Sequence, residues 1–137
     1  MKIVSACLAG INCKYNGKNN SCPKIVKLVK EGKAIPVCAE QLGGLATPRD
    51  PAEIQKNKVK TKKGKDVTKQ FEKGAEEALK IAKMTGCTEA ILKEKSPSCG
   101  SKEIYDGTFT KTLKKGSGIF AQKLKDAGIA VKNENTI

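Results

Sequence analysis

The sequence predicts a single-domain α/β protein of three layers, Rossmann- or flavodoxin-like, with a short, mostly parallel sheet between flanking helices. Two observations support this prediction. Short apolar segments of strand length alternate with longer segments whose apolar residues recur at helical spacing, and this alternation is typical of right-handed βαβ units. The length of 137 residues suits one compact unit, so we expect a single domain over residues 1–137.

The predicted elements follow from local patterns. Four short apolar segments bounded by Gly, Pro or polar residues are predicted strands: Lys2–Leu8, Ala34–Cys38, Thr88–Leu92 and Ile129–Val131. Three segments with helical spacing are predicted helices: Pro23–Gly32, Thr68–Thr85 and Gly116–Gly128. We expect loops at Ala9–Ser21, Ala39–Asp50 and Lys93–Thr108, and an exposed hairpin or flexible turn in the Lys-rich segment Lys56–Asp66.

The composition limits the chemistry and the location. The net charge is +13, and 26 of the 27 basic residues are Lys, the exception being Arg49. Such a surplus could attract nucleic acid, tRNA included, without sequence preference, although its spread along the chain is typical of a solvated surface. The absence of His excludes Ser-His-Asp triads, His-ligated zinc and a His base. No apolar run reaches the roughly 20 residues of a membrane span, so we expect a cytoplasmic protein with no membrane association.

Three of the six cysteines follow predicted strands. Cys7 ends the first strand, Cys38 ends the second, and Cys99 lies in the loop after the third. Because parallel strands end at one edge of a sheet, where such folds bind ligands, we expect these thiols to meet there. Three convergent thiolates suit an iron–sulfur cluster or a soft metal. A structural zinc module remains an alternative, although a closed zinc site usually has four ligands and paired C-x-x-C motifs.

The remaining cysteines are weaker candidates. Cys87 directly follows the Gly that ends a predicted helix, which is typical of a small buried core residue. Cys13 and Cys22 lie in a polar loop near Cys7 in sequence. They could supply a fourth ligand, protect the site or have no direct role.

Two polar residues close to these thiols could handle protons. Glu40 lies two residues after Cys38, a step that points both side chains to one side of an extended chain. Ser96 lies three residues before Cys99. The alternatives are a solvated loop carboxylate at position 40 and a turn residue before Pro97 at position 96.

Three other features could belong to a functional site or have only a structural role. Arg49 could bind an anionic or carbonyl group, or pair with Asp50 or Glu53. The segment Tyr105–Phe109 could line a pocket or form a turn, and the charged run Lys93–Lys95 is interpreted as a strand edge.

Several ordered motifs together resemble the thiouracil desulfidase (TudS-like) family, formerly a domain of unknown function. The resemblance covers nearly the whole chain, through SACLAGINCKYNG, PVCAEQLGGLATPR, AILKEKSPSCGS and IYDGTF. The chain differs from the family pattern at Ala39, where the family commonly has Pro, at Lys14 and Lys95, where it has Arg, and at Asn16, where it has Asp. These differences bear on the substrate more than on the cofactor.

The resemblance implies a [4Fe–4S] cluster held by Cys7, Cys38 and Cys99, with one iron open, and catalytic roles for Glu40 and Ser96. The implied reaction is non-redox: the thiocarbonyl of a thiolated pyrimidine or similar small substrate becomes a carbonyl, and its sulfur binds the open iron and leaves as sulfide. The alternative function is a sulfur carrier or donor, handling sulfide or persulfide in tRNA thiolation. The sequence carries no signal of an oligomeric state.

Overall fold

The computed structural model describes all 137 residues, which form eight strands and four α-helices. The strands are β1 (Lys2–Ser5), β2 (Ala34–Val37), β3 (Ala52–Gln55), β4 (Lys58–Thr61), β5 (Glu89–Leu92), β6 (Glu103–Tyr105), β7 (Leu113–Lys115) and β8 (Ala130–Asn133). The helices are α1 (Pro23–Lys30), α2 (Ala39–Leu42), α3 (Thr68–Met84) and α4 (Ile119–Asp126). None of the helices is long and apolar enough to cross a bilayer.

Four strands form one parallel sheet in the order β2–β1–β5–β8. The central strand β1 pairs on both sides, so that Ile3 lies opposite Ile35 of β2 and Ala90 of β5. Strands β1 and β5 are buried after their first residue, as expected for inner strands of a sheet covered on both faces. The predicted α/β class with a mostly parallel sheet is confirmed.

Successive residues of β1 enter two different cores, because side chains alternate between the faces of a strand. Val4 packs with Ile25 of α1 on one face. Ile3 packs on the other face with residues of α3 and α4, including Ala78 and Phe120. The sheet is therefore the middle of three layers.

Two antiparallel hairpins lie outside the central sheet. Strands β3 and β4 form one, and β6 and β7 form the other. Ile54, Val59 and Ile104 of these hairpins share a third apolar cluster with Phe71 of α3. This cluster holds both hairpins against the main body of the chain.

The observed elements differ from the predicted ones mainly near the carboxyl ends of the strands. The first strand ends at Ser5, and Ala6–Ala9 form a 3₁₀ turn. The predicted loop Ala39–Asp50 contains α2, and the predicted loop Lys93–Thr108 contains β6. The Lys-rich hairpin is present, although its first strand lies ahead of the predicted segment.

Candidate active site

A cleft of about 950 Å³ lies beyond the carboxyl ends of β1, β2 and β5. The strand order reverses between β1 and β5, and open α/β sheets bind ligands at such a switch point. All five residues predicted to form the site line this cleft: Cys7, Cys38, Glu40, Ser96 and Cys99. The topology thus brings together residues that are up to 92 positions apart in sequence.

Cys7 enters the cleft from the 3₁₀ turn after β1. The turn ends at Gly10, whose φ of 91° is in the left-handed region that glycine adopts readily. The Cys7 carbonyl then accepts the N–H of Asn20 at 2.9 Å, which closes the loop between them. That loop carries Cys13 into the lining of the same cleft, where Cys13 is only 2% exposed.

Cys38 and Glu40 are positioned by the contact between α2 and α3. Cys38 immediately precedes α2, and Glu40 is in its first turn. A Cβ atom added to Gly74 of α3 would lie 1.7 Å from the Ala39 carbonyl oxygen, and one added to Gly43 would lie 1.9 Å from the Gln70 carbonyl oxygen. The two glycines therefore let the helix backbones touch. A helical turn, and not the extended step expected from sequence, brings Glu40 to the cleft.

Cys99 lies in a turn that Ser96 organises. The Ser96 hydroxyl accepts the backbone N–H of Ser98 at 3.1 Å and that of Cys99 at 3.0 Å. The Ser98 carbonyl accepts N–H groups from Phe120 and Ala121, which fastens the turn to the start of α4. The preceding residue, Lys95, has a φ of 69°, an uncommon conformation for a residue with a side chain.

Glu94, interpreted from sequence as part of a charged strand edge, is 6% exposed. Its carboxylate accepts hydrogen bonds from the N–H and hydroxyl of Ser101, the N–H of Lys102 and the side-chain amide of Asn133. Burial acts to raise the pKa of Glu94, but these donors outweigh it and hold the pKa below its ordinary value. Glu94 therefore shapes the segment that carries Cys99.

Arg49 pairs with Glu40, a partner that the sequence did not indicate. Its Nη2 atom lies 2.6 Å from Oε2 of Glu40, and the two side chains are only 9% and 19% exposed. The partners expected from sequence are used elsewhere: Asp50 accepts the N–H of Lys63, and Glu53 accepts the N–H groups of the loop over the cleft. The cleft thus contains a nearly buried ion pair beside Cys38.

The four thiols of the cleft differ in acidity. A hydrogen bond with Cys13 lowers the pKa of Cys38 to about 7, and the same contact raises the pKa of Cys13. Burial raises the pKa of Cys99 to about 12, and burial also raises the pKa of Cys7. Negative charge on Cys7, Cys38 or Glu40, which line the same cleft, acts to raise the pKa of Cys99 further.

Of the remaining candidate residues, some line the cleft and others lie away from it. Cys22 packs beside the α1 core, and Cys87 lies in the core between the sheet, α3 and α4, so neither lines the cleft. Tyr105 and Phe109 do line the cleft.

No group of three or more Cys, Asp or Glu side chains is arranged to hold a single metal ion. Six lysines also line the cleft: Lys14, Lys62, Lys65, Lys93, Lys95 and Lys111.

Comparisons with known proteins agree with this architecture. The family model described as 2-thiouracil desulfurase matches residues 3–136. The chain is 46% identical to the uncharacterized protein YbbK of Bacillus subtilis (strain 168), over all of this chain and 97% of that protein. The fold is similar to a solved structure of a [4Fe–4S]-dependent thiouracil desulfidase, TudS, with a TM-score of 0.94 and 43% identity over 98% of this chain and 91% of that one. The family and the enzyme class predicted from the motifs are thereby confirmed: the chain belongs to the 2-thiouracil desulfurase family.

Proposed function

We propose that this protein is a [4Fe–4S]-dependent desulfidase that converts the thiocarbonyl of a thiolated pyrimidine, or of a similar small substrate, to a carbonyl and releases sulfide. Cys7, Cys38 and Cys99 would hold the cluster, and Glu40 and Ser96 would act on the substrate. The observation that supports this most strongly is the shared cleft, because three elements of one sheet deliver three thiols beside a carboxylate and a hydroxyl.

The donor set fits an iron–sulfur cluster better than a single ion. The three thiols are soft donors without any imidazole partner. All three line the same cleft, where a fourth thiol, that of Cys13, is the remaining soft donor. The Ser98 hydroxyl, next to Cys99, is buried with no hydrogen-bond partner in the protein, and a cluster or thiolate sulfur would supply one.

When bound, a cluster with three protein ligands supplies one open iron, a Lewis acid with affinity for soft sulfur. The residues of the chain supply the proton chemistry. The Oε2 atom of Glu40 is held by Arg49, which leaves Oε1 to accept a proton from the water that attacks the thiocarbonyl carbon. The Ser96 hydroxyl accepts two N–H groups, so its own proton is left to donate to the substrate. One water is consumed, and its oxygen replaces the sulfur, which leaves as sulfide.

The cleft also suits a small planar substrate. Its volume of about 950 Å³ is enough for a heterocycle in addition to a cluster. Tyr105 and Phe109 offer aromatic faces for stacking on such a ring. Their loop is held in place because Oε1 of Glu53 accepts the N–H groups of Gly107 and Phe109, at 3.0 and 3.1 Å.

Anaerobic reconstitution with iron and sulfide, followed by measurement of sulfide release from 2-thiouracil, tests the proposal. We expect Cys99→Ala to lose the brown chromophore of the cluster, whereas Cys87→Ala, a matched loss of a thiol outside the cleft, keeps it. We expect Glu40→Ala to keep the cluster and lose turnover. Full turnover by Glu40→Ala would remove Glu40 from the mechanism.

Two results would contradict the function itself. About one zinc and no acid-labile sulfide in anaerobically purified protein would indicate a structural zinc module. A loaded cluster with salt-dependent tRNA binding and no sulfide release from free thiolated bases would instead favour the sulfur-carrier alternative.

A further inference from the structure

We propose that Arg49 is a positioning residue that holds Glu40 in its working orientation, an inference that rests on the function proposed above. The contact is direct: Nη2 of Arg49 donates to Oε2 of Glu40 at 2.6 Å. Both side chains are largely withdrawn from water, with 9% and 19% exposure. Because the ion pair is largely buried, solvent and salt screen its attraction only weakly. Removing one partner therefore leaves the other as a buried charge with no opposite charge beside it.

The guanidinium is itself held on its other sides. Nη2 also donates to the Cys13 carbonyl at 2.9 Å, while Nη1 donates to the Thr47 hydroxyl at 2.9 Å and to the Ala46 carbonyl at 3.3 Å. Because the guanidinium is planar and its donors are spread over several acceptors, it cannot turn without breaking these bonds. The orientation of the Arg49 guanidinium is therefore fixed, and it can in turn fix the orientation of the carboxylate that it binds.

Thr47 links the guanidinium back to the helix that carries Glu40. The Thr47 hydroxyl accepts a hydrogen bond from the side-chain amide of Gln41, the residue after Glu40, at 2.8 Å. It accepts Nη1 of Arg49 as well, so one hydroxyl joins α2 to the guanidinium. The carboxylate of Glu40, on an α2 of only four residues, is thus braced through the ion pair and through Thr47.

Lysine could not reproduce this arrangement. The chain carries 26 Lys and a single Arg, and that Arg occupies this position. An ammonium group is a compact charge on a flexible stem, and it lacks the planar fork that spreads fixed donors over several acceptors. The charge alone would neutralise Glu40, but the fork is needed to fix the direction of its free oxygen.

A second reading gives Arg49 a different task, namely holding the loop that carries Cys13. Arg49 donates to the Cys13 carbonyl, and its own backbone N–H donates to the Tyr15 carbonyl at 2.8 Å. If this were its main role, replacing Arg49 would disturb the Cys13 thiol beside Cys38, and with it the cluster. The two readings differ in whether the effect of Arg49 passes through Glu40.

A double-mutant cycle in the cluster-loaded protein separates them. The proteins are wild type, Arg49→Met, Glu40→Gln and the double variant. Arg49→Lys keeps the positive charge but lacks the planar guanidinium. Lys73→Met removes a positive charge outside the cleft and is the control. Sulfide release from 2-thiouracil gives kcat and KM anaerobically. Iron, acid-labile sulfide and the absorption spectrum report the cluster, and thermal unfolding of the same samples is a readout independent of activity.

We expect Arg49→Met to lower kcat by about 100-fold at full cluster content, as misplacement of a catalytic group does, with little change in KM. Arg49→Lys should recover only part of this loss, and Lys73→Met should match wild type. In the Glu40→Gln background, Arg49→Met should change the residual rate of sulfide release, measured at high enzyme concentration, by less than about twofold, because its effect passes through Glu40. The melting temperature should likewise fall less in that background, where no carboxylate is left unpaired.

Three results from activity and cluster content would overturn the inference: an unchanged kcat in Arg49→Met, equal fold-losses in both backgrounds, or loss of the cluster on replacing Arg49. Additive losses of melting temperature would also do so, since they would show that the two side chains do not interact. Failure of the proposed function looks different, because the wild-type protein itself would then release no sulfide from 2-thiouracil.

Discussion

The Ser96 hydroxyl accepts the backbone N–H of Cys99 at 3.0 Å, so the group proposed to act on the substrate also anchors a proposed cluster ligand. It accepts the N–H of Ser98 as well, in the manner of a serine that caps a turn. The sequence left a turn residue and a catalytic residue as alternatives at position 96. In the folded chain the two roles are compatible, because a hydroxyl that accepts N–H groups still has a proton to donate.

We expect Ser96→Ala to cost about 1–2 kcal/mol of unfolding free energy, the usual cost of removing a capping hydroxyl. Both N–H groups would lose their acceptor, and the Cys99 turn would loosen. Urea unfolding of the cofactor-free protein measures the cost. Ser96→Thr, which keeps a hydroxyl on Cβ, is the matched control and should recover most of it. An unfolding midpoint equal to wild type in Ser96→Ala would show that this hydroxyl does not hold the turn.

Ser98 carries the one buried side-chain polar atom without a hydrogen-bond partner, at 1% residue exposure. We expect Ser98→Ala to leave the cofactor-free protein as stable as wild type or more so, because no protein hydrogen bond is lost. In the loaded protein, loss of a donor to sulfur should lower the reduction potential of the cluster. The shift is roughly 40 mV, the equivalent of one hydrogen bond of about 1 kcal/mol in a one-electron couple.

Anaerobic redox titration of the loaded Ser98→Ala protein measures this shift. Ser117→Ala removes a serine hydroxyl outside the cleft and should leave the potential unchanged. A potential equal to wild type in Ser98→Ala would mean that the Ser98 hydroxyl does not reach the cluster.

The sheet and the meeting of the cysteines were predictable from sequence because both depend on long-range regularities. Apolar runs such as those of β1 and β5 indicate inner parallel strands, and parallel strands end at one edge. Cys7 lines the same cleft as Cys38 and Cys99, although it lies in a 3₁₀ turn and not on the strand itself.

The contacts within the site were not predictable, because they depend on short-range geometry. Helix α2 has four residues, too few for a periodic pattern, and it forms because Gly43 and Gly74 allow α3 to approach. Arg49 reaches Glu40 only once α2 exists. Glu94 stands between two lysines and resembles a surface residue, yet the turn that follows directs several donors onto its carboxylate.

The unequal acidity of the cleft thiols predicts their order of alkylation in the cofactor-free protein. The hydrogen bond with Cys13 lowers the pKa of Cys38, whereas burial raises the pKa of Cys99 to about 12, so Cys38 carries more thiolate than Cys99 at neutral pH. Because the thiolate is the nucleophile, we expect iodoacetamide at pH 7 to modify Cys38 before Cys7 and Cys99. Peptide mass spectrometry over a time course measures the order.

Cys13→Ala provides the control for the cause of this acidity. Without the Cys13 thiol, the Cys38 thiolate loses a hydrogen bond, its pKa rises and its modification slows. Modification of Cys38 at an unchanged rate in this variant would show that another group sets its acidity.

The lowered pKa of Glu94 predicts that the free energy of unfolding of the cofactor-free protein depends on pH. Its pKa in the folded chain lies below the ordinary value of 4.5, because hydrogen bonds to the carboxylate outweigh its burial. A depressed pKa contributes stability that is present above about pH 4.5 and is lost as the pH falls through the folded-state pKa. We expect Glu94→Gln to cost about 1–3 kcal/mol at pH 7, because an amide nitrogen replaces one of the two oxygens that accept hydrogen bonds and the negative charge is lost. Between pH 6 and pH 3 the difference in unfolding free energy between the two proteins should shrink, because the wild-type carboxylate becomes protonated.

Urea unfolding of the cofactor-free proteins across this pH range measures the difference. Glu103→Gln is the control at an exposed position and should follow wild type. A constant difference between Glu94→Gln and wild type would show that the charge of Glu94 does not stabilise the Cys99 segment.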